Sequence, residues 1–283
     1  MKKVLGVFAA LCFCIISPLS FAGQGTSSNN ILDKVNNQFG ITASGKYFKY
    51  EEAGLMKSYG IMPGIDVFSN NTFGKNFYFA ANLGYHAGTS TYDGGIYHIS
   101  PTTLTIEPYS TKNEKFSVFH TDIKLGYIVH QANNSQLIPY LGIGTRTYRT
   151  STPFPSFVTK RTTRNGHYLI GAIYNIAVND NLVVSPEVSI GSTFGGKVGY
   201  DECSNLSNRC YNYDLNDGIY YSLGVKANYF VTDNISVNGA VGYKHYKFGK
   251  SKNQHLRQYG YVSSEPKSTN DDFSAGLGLS YHF

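Results

Sequence analysis

The stretch that most constrains the fold runs from Asp271 to Phe283 and reads DDFSAGLGLSYHF. Aromatic and apolar residues fill every second position, and Ser, Gly and His fill the positions between them. Such strict alternation predicts a β-strand with one apolar and one polar face. Its length suits one tilted crossing of a bilayer by a β-strand. We therefore predict a membrane-spanning strand that ends at Phe283.

The same alternation recurs along the chain and predicts about ten strands, with eight or twelve as alternatives. Short connections rich in Asn and Asp, which suit tight turns, alternate with long polar connections. Short turns on one side and long loops on the other are typical of an outer-membrane barrel. We predict an all-β fold, a closed antiparallel up-and-down transmembrane β-barrel spanning 39–283. The predicted strands are 39–51, 58–68, 76–87, 116–130, 137–149, 166–178, 182–194, 217–231, 235–248 and 271–283, and the long outer loops are 88–115, 149–165, 195–216 and 249–270.

The composition agrees with a barrel. The chain is 41% hydrophobic with a mean hydropathy of −0.24, so a hydropathy plot would miss a membrane protein here. Strands that alternate lipid-facing and lumen-facing residues average out in this way. Tyr is abundant, with 24 residues, and suits the aromatic girdles at the two membrane surfaces. A soluble β-sandwich is the alternative, although its strands would be nearer five or six residues long.

The N-terminal segment predicts export. Residues 1–22 combine a basic start, an apolar run and small residues before position 23, as in a secretory signal peptide. Residues 23–38 are polar and predict a flexible periplasmic lead-in, with a brief turn near 31–35. Loss of the signal leaves Cys203 and Cys210, which we expect to form a disulfide in an oxidising compartment. A metal-binding cysteine pair is the alternative.

The terminal strand, with Tyr281 and Phe283 on its apolar face, resembles the closing strand of bacterial outer-membrane β-barrels. The whole chain, a signal peptide followed by a small barrel with Tyr-rich loops, resembles the opacity-protein and OmpA-like groups. This resemblance implies a Gram-negative outer membrane with its lipids and lipopolysaccharide. It also implies that the barrel-assembly machinery reads the terminal strand. Members of those groups serve adhesion, surface protection and membrane integrity, and a few are narrow porins.

The polar face of the predicted strands carries charges of both signs. Because a barrel of this size has little room inside, we expect these side chains to form an internal ion-pair and hydrogen-bond network. A narrow polar pore for small solutes and a catalytic use of these groups are the alternatives. We expect no cofactor and no metal. The predicted lumen residues are Asp66, His86, His120, Asp122, Lys124, Glu187, Lys226 and Lys244.

Enzyme motifs are weak in this chain, and we predict a non-enzymatic protein. Omptin proteases use an Asp-His pair at the outer rim and lipid A-modifying barrels use Ser-His arrangements. This chain has no adjacent Asp-His dipeptide, and no Ser-His spacing stands out. The Asp271–Asp272 pair is near the predicted outer rim, but we interpret it as a solvated strand start. No GxSxG, HExxH or Gly-rich phosphate loop is present. An omptin-like or lipid-modifying enzyme remains the second alternative, after a porin.

The long loops are the expected contact surfaces. Loops 88–115 and 249–270 mix Tyr with small polar residues, a composition that suits binding of a host or surface ligand. The 149–165 loop is basic, and we expect it to be solvated, with contact to lipopolysaccharide phosphates as the alternative. No feature predicts a nucleic-acid partner. The basic residues of that loop are Arg149, Lys160, Arg161 and Arg164.

Overall fold

The computed structural model describes residues 31–74, 76–99, 104–132, 134–204, 207–256 and 261–283. The predicted signal peptide and the first half of the lead-in, 23–30, lie outside the described residues. The first described element is the short helix α1, Ile31–Asn36. The strands are β1 Gln38–Glu52, β2 Met56–Phe73, β3 Phe77–Ile99, β4 Leu104–Tyr127, β5 His130–Gln131, β6 Ser135–Pro153, β7 Val158–Asn179, β8 Leu182–Ser204, β9 Ser207–Asp214, β10 Ile219–Phe230, β11 Ile235–Phe248, β12 Gln254–Leu256, β13 Tyr261–Ser263 and β14 Ser268–His282.

Ten long strands close into one antiparallel barrel, as the sequence predicts. Sequential long strands pair as neighbours, and β8 pairs directly with β10 because β9 folds back on the outer half of β8. The ring closes where β1 pairs with β14 from Gln38↔His282 to Glu52↔Ser268. Of the short strands, β5 pairs with β6, while β12 and β13 form a separate hairpin.

Alternation along each strand decides which side chains face the lumen. In β3, Phe77 and Tyr85 are 53% exposed on the outer wall, whereas Tyr78 and His86 are buried inside. Outward apolar side chains encircle the barrel, and the most exposed is Leu277 at 70%. A continuous apolar belt of this kind matches the lipid-facing band of a transmembrane barrel. Tyr47, Tyr85, Tyr168, Tyr221, Tyr243 and Phe273 mark the outer edge of this belt.

Three of the four predicted long outer loops, 88–115, 149–165 and 195–216, are mostly strand. The β3–β4 ladder continues to Ile99↔Leu104, and the β7–β8 ladder continues to Lys160↔Asp201. The β6–β7 ladder likewise continues to Pro153↔Val158. Strand ends predicted at 87, 149 and 194, and strand starts predicted at 116 and 166, are therefore wrong. These outer segments are rich in Thr and Tyr, which favour strands. Their apolar alternation is weak because they lie beyond the lipid, so periodicity gave no signal there.

None of the helices in the described part of the chain is long and apolar enough to cross a membrane.

Candidate functional site

The centre of the lumen contains a carboxylate held by two histidines. Asp66 on β2 lies 3.3 Å from His120 Nε2 and 3.4 Å from His86 Nε2. Ser44 Oγ donates to Asp66 Oδ2 at 2.7 Å and lies 2.8 Å from His86 Nε2. The three predicted residues Asp66, His86 and His120 thus meet, although they come from three neighbouring strands.

A second carboxylate, Asp122, joins opposite sides of the lumen. Its Oδ1 lies 2.7 Å from His167 Nε2, and its Oδ2 accepts from Lys244 Nζ at 2.8 Å. Lys244 comes from β11, so the contact spans the barrel instead of following one ladder. Sequence reasoning placed Asp122 and Lys244 in the lumen but missed His167. Period two would have found it, because His167 precedes the outward-facing Tyr168.

The remaining predicted lumen residues line a cavity of about 290 Å³. Lys124 pairs with Glu187, which also accepts from the Tyr140 hydroxyl. Lys226 Nζ lies 3.3 Å from the centre of the Phe68 ring. The attraction of a cation to an aromatic face stabilises an ammonium at such a site.

Glycines make room for the two carboxylate clusters. A Cβ on Gly84 would lie 2.2 Å from Asp66 Oδ1, and one on Gly144 would lie 2.3 Å from Asp122 Oδ1. Glycine in a strand interior often marks such a close approach. The two carboxylate clusters therefore need glycine at positions 84 and 144, because a larger residue would occupy the space of the carboxylate.

The outer end of the polar lumen contains an ion pair that the sequence reasoning missed. Arg146 on β6 donates to both carboxylate oxygens of Asp272 on β14 at 3.1 Å, and both residues are almost fully buried. The guanidinium also stacks 4.6 Å from the Tyr246 ring. The prediction that Asp271–Asp272 is a solvated strand start is therefore wrong for Asp272. The partner of Asp271 is His245, at 2.7 Å on the outer wall.

Above this pair the lumen is filled by aromatic side chains and then by a charged cluster. The Phe48 and Phe116 rings lie 4.1 Å apart in the aromatic layer. Beyond them, Arg161 pairs with Glu52 at 2.9 Å and with Glu265. The expectation of a solvated Arg161 is wrong, because its position in β7 points inward. We call this group of Arg161, Glu52 and Glu265 the outer cluster.

Burial dominates the protonation of Glu265 in the outer cluster. It raises the pKa of Glu265 to about 6, and the charge of Glu52 adds to this rise while Arg161 opposes it. Tyr200 donates to Glu265 at 3.0 Å, which supports the carboxylate. One cation thus serves two buried carboxylates, so one of them is poorly compensated.

The periplasmic end of the lumen is filled by α1. Leu32 and Val35 pack against Val183 and Phe230. The predicted turn near 31–35 is thus a helix, and it is docked in the barrel mouth instead of belonging to a flexible lead-in. A buried chain of amide hydrogen bonds beside it joins Asn36 to Gln136 at 2.7 Å and to Asn175 at 2.9 Å.

The remaining predicted residues are the two cysteines and the two aromatic residues of the terminal strand. Cys203 and Cys210 lie on β8 and β9, which pair as Asp201↔Cys210 and Cys203↔Asn208, and their side chains lie outside the described residues. The disulfide remains a prediction. Tyr281 is 53% exposed on the outer wall, and the Phe283 amide donates to Asn37 O at 3.3 Å. The assembly signal also remains a prediction.

One group of described residues has the donor set of a metal site. The ligand atoms of Asp66, His86 and His120 lie within 4.8 Å of one another. Hydrogen bonds between Asp66 and the two imidazoles account for this approach without a cation.

Comparison with known proteins supports the fold. No protein-family model matches the chain, and no curated protein matches it in sequence. Among solved structures it is similar to the outer membrane protease OmpT from Escherichia coli, with a TM-score of 0.62 and 12% identity, covering 90% of this chain and 100% of that one. It is more distantly similar to the translocator domain of the autotransporter NalP from Neisseria meningitidis, with a TM-score of 0.41 and 12% identity over 100% and 98%. Ail, the attachment invasion locus protein of Yersinia pestis, gives 0.34 and 8% over 88% and 99%.

At these identities the likeness concerns the fold alone. The ring closure, the apolar belt and the OmpT likeness lead to one conclusion: the chain has the closed β-barrel fold of bacterial outer-membrane proteins.

Proposed function

We propose that this protein is an exported outer-membrane barrel with a closed lumen, which acts at the cell surface through its outer hairpins. The observation that carries the proposal is the filling of the lumen at both ends. At the periplasmic end Leu32 is fully buried under the barrel rim. At the outer end Phe48 is fully buried and Arg161 nearly so. Side chains of such burial at both ends support a lumen without the continuous water path that a porin needs.

The charges in the centre support a structural role. Asp66, Asp122 and Glu187 each contact at least one basic side chain. Breaking a buried pair by removing one partner is costly, so each group holds the others in place. The lumen in this proposal is a polar core that fixes the strands in register.

Conductance in a planar bilayer tests the closure. We expect the refolded wild-type barrel to insert without steady single-channel steps. A variant with Leu32→Asp and Val35→Asp, which places charges in the apolar contact of α1, should release the helix from the barrel mouth. Because the outer layers would remain, we expect this variant to stay closed as well. Adding Phe48→Ala, Phe116→Ala and Arg161→Ala, which thins both outer layers, should open it.

The matched control is Ile61→Ala, a change on the lipid-facing wall where the side chain is 69% exposed. For every variant, a gel should confirm that the barrel is folded and heat-modifiable. Steady conductance of the wild-type chain would refute the closed lumen.

A narrow pore is the second candidate, and one observation favours it. Lys46 is only 5% exposed and lines the cavity, and no described carboxylate lies within ion-pair distance of it. Lysines with weak local compensation suit passage of small anions. Under this alternative, wild-type channels should prefer chloride to potassium, and Lys46→Gln should reduce that preference.

We also propose that the protein is not an enzyme. The likeness to OmpT extends to the fold and supplies no site. In the described part of the chain, the Asp122–His167 pair is buried below the aromatic layer, and the His245–Asp271 pair lies on the outer wall. Neither pair faces an open cleft at the mouth of the lumen. Cleavage of dibasic peptides by the refolded barrel would contradict this proposal.

A further inference from the structure

Four basic side chains form a cluster on the outer wall. Arg149 on β6 lies at its centre. Lys115 lies two residues from the ladder partner of Arg149 on β4, and Lys160 and Arg164 lie two residues on either side of its partner on β7. Such diagonal neighbours are about 7–8 Å apart. We call these four residues the basic wall cluster.

The basic wall cluster lacks the internal compensation seen elsewhere on the wall. None of its four members forms an ion pair with a described side chain. All four are exposed. At comparable positions around the barrel, Lys49 pairs with Glu51 at 2.6 Å and Lys57 pairs with Asp93 at 3.0 Å. Lys160 lies opposite Asp201 in the β7–β8 ladder, and the Asp201 side chain lies outside the described residues. The charges of Lys115, Arg149 and Arg164 are therefore the ones available to an external anion.

The height of the cluster places it beside lipid head groups. Lys115 and Arg164 each lie four residues beyond an outward aromatic residue, Phe119 on β4 and Tyr168 on β7. Four residues of strand span about 13 Å, and the strand tilt reduces this to about 10 Å of height. That distance leads from the aromatic girdle into the head-group layer.

The wall forms a groove at the same place. It has a volume of about 740 Å³, and its lining runs from Tyr85 near the girdle to Lys160 at the far end. Ser117, Ser151 and Thr162 add hydroxyl groups between the basic side chains. A groove with an outward tyrosine at its girdle end and basic side chains along its length is complementary to an amphiphile with an anionic head.

We propose that the basic wall cluster binds the phosphate groups of lipopolysaccharide in the outer leaflet. Arg149 and Arg164 would grip phosphate oxygens with two parallel hydrogen bonds each, while Lys115 acts as a point charge. The acyl chains would then lie against the apolar belt below. This binding is independent of whether the lumen conducts, so a conducting barrel would leave it untouched.

The test compares the binding of purified lipopolysaccharide to the detergent-refolded full chain and to a triple variant, Lys115→Gln, Arg149→Gln and Arg164→Gln. Each charge near an anionic membrane surface contributes about fivefold to binding. We therefore expect the triple variant to bind about 100-fold more weakly. The matched control removes three exposed charges that lie farther beyond the girdle residues Tyr243 and Phe273, with Lys250→Gln, Lys252→Gln and Lys267→Gln, and should bind within about twofold of wild type.

Two further ligands separate the possible sources of binding. Dephosphorylated lipopolysaccharide should bind the wild-type chain no better than it binds the triple variant. Soluble tripolyphosphate should bind far more weakly than the lipid, because it lacks the acyl chains. Arg149→Lys, which keeps the charge but loses the planar fork, should fall between wild type and the triple variant.

Three results would overturn the proposal. An equal loss in the control variant would mean that net charge alone drives binding. Undiminished binding of dephosphorylated lipid would assign recognition to sugars or acyl chains. Tripolyphosphate binding as tight as that of the lipid would make the cluster a site for free anions. All comparisons require heat-modifiable, folded protein for each variant.

Discussion

Removing the Arg146 guanidinium should severely destabilise the barrel. Its two hydrogen bonds to Asp272 and its third, to Asn270 Oδ1 at 3.1 Å, connect β6 with β14 across the lumen. Arg146→Met keeps most of the side-chain volume but leaves the Asp272 carboxylate buried without a cation. Breaking a buried pair in this way costs about 3–5 kcal/mol. At about 1.4 kcal/mol per factor of ten, the folded population relative to the unfolded one should fall about a thousandfold.

Urea unfolding in lipid vesicles measures this loss. The chain has no Trp, so far-UV circular dichroism follows the strands better than fluorescence does. The double variant Arg146→Met, Asp272→Asn removes both charges, and we expect it to recover at least half of the lost stability. Arg146→Lys keeps the charge and loses the stack of the guanidinium on Tyr246, so its loss should be about 1–2 kcal/mol.

The reasoning fails if Arg146→Met unfolds within about 0.5 kcal/mol of wild type, a loss typical of an exposed pair. It also fails if the single and double variants lose the same free energy. That outcome would mean that the packing of the Arg146 side chain, and not its charge, holds the two strands.

Three further predictions follow from burial and close packing. The raised pKa of Glu265 means that the folded outer cluster favours the protonated acid. The stability of the barrel should therefore be highest below pH 4.5 and fall by about 2 kcal/mol as the pH rises through about 6. Hydrogen exchange of the outer strand ends should show this change, and Glu265→Gln should abolish it. Gly84→Ala should lower the free energy of unfolding in urea by about 1–3 kcal/mol, because its Cβ would overlap the Asp66 carboxylate. Gly45→Ala should be nearly neutral, because no atom lies within 4 Å of the added Cβ. Equal losses of stability in the two variants would contradict the packing argument. Leu32→Ala should speed amide exchange in α1 by an amount equivalent to about 2–4 kcal/mol, because Leu32 packs in the apolar contact of the helix. Lys34→Ala, which removes an exposed ion pair, should change the exchange by less than about 1 kcal/mol. Similar effects of the two variants would mean that α1 is not held by apolar packing.

The barrel part of the fold could be predicted from the sequence because lipid imposes one rule on every strand. Each strand must alternate between hydrocarbon and lumen, so the period-two signal extends through the whole belt. The same rule placed Asp66, Asp122 and Lys244 in the lumen. Beyond the belt neither face of a strand contacts lipid, so apolar and polar residues no longer need to alternate. The outer hairpins were therefore predicted as loops.

Partners in the lumen could not be predicted. The Arg146–Asp272 pair joins residues 126 positions apart, and the contact depends on the register of every strand between them. Alternation alone would have turned both side chains inward, yet it does not say which cation meets which carboxylate. Docking of α1 was also hidden, because the apolar face of a six-residue helix is too short to stand out among loop residues.

The seam between β1 and β14 has a consequence for the order of folding. The helix α1 lies one residue before β1, and its carbonyl at Lys34 accepts from the His282 ring, 248 positions later. Contacts of such separation form late, because the intervening chain must be ordered first. The docking of α1 and the closure of the seam between β1 and β14 are therefore completed in the same step. A barrel arrested before that step would be an open, water-filled trough. Its lumen charges would still lack their partners from the opposite strands.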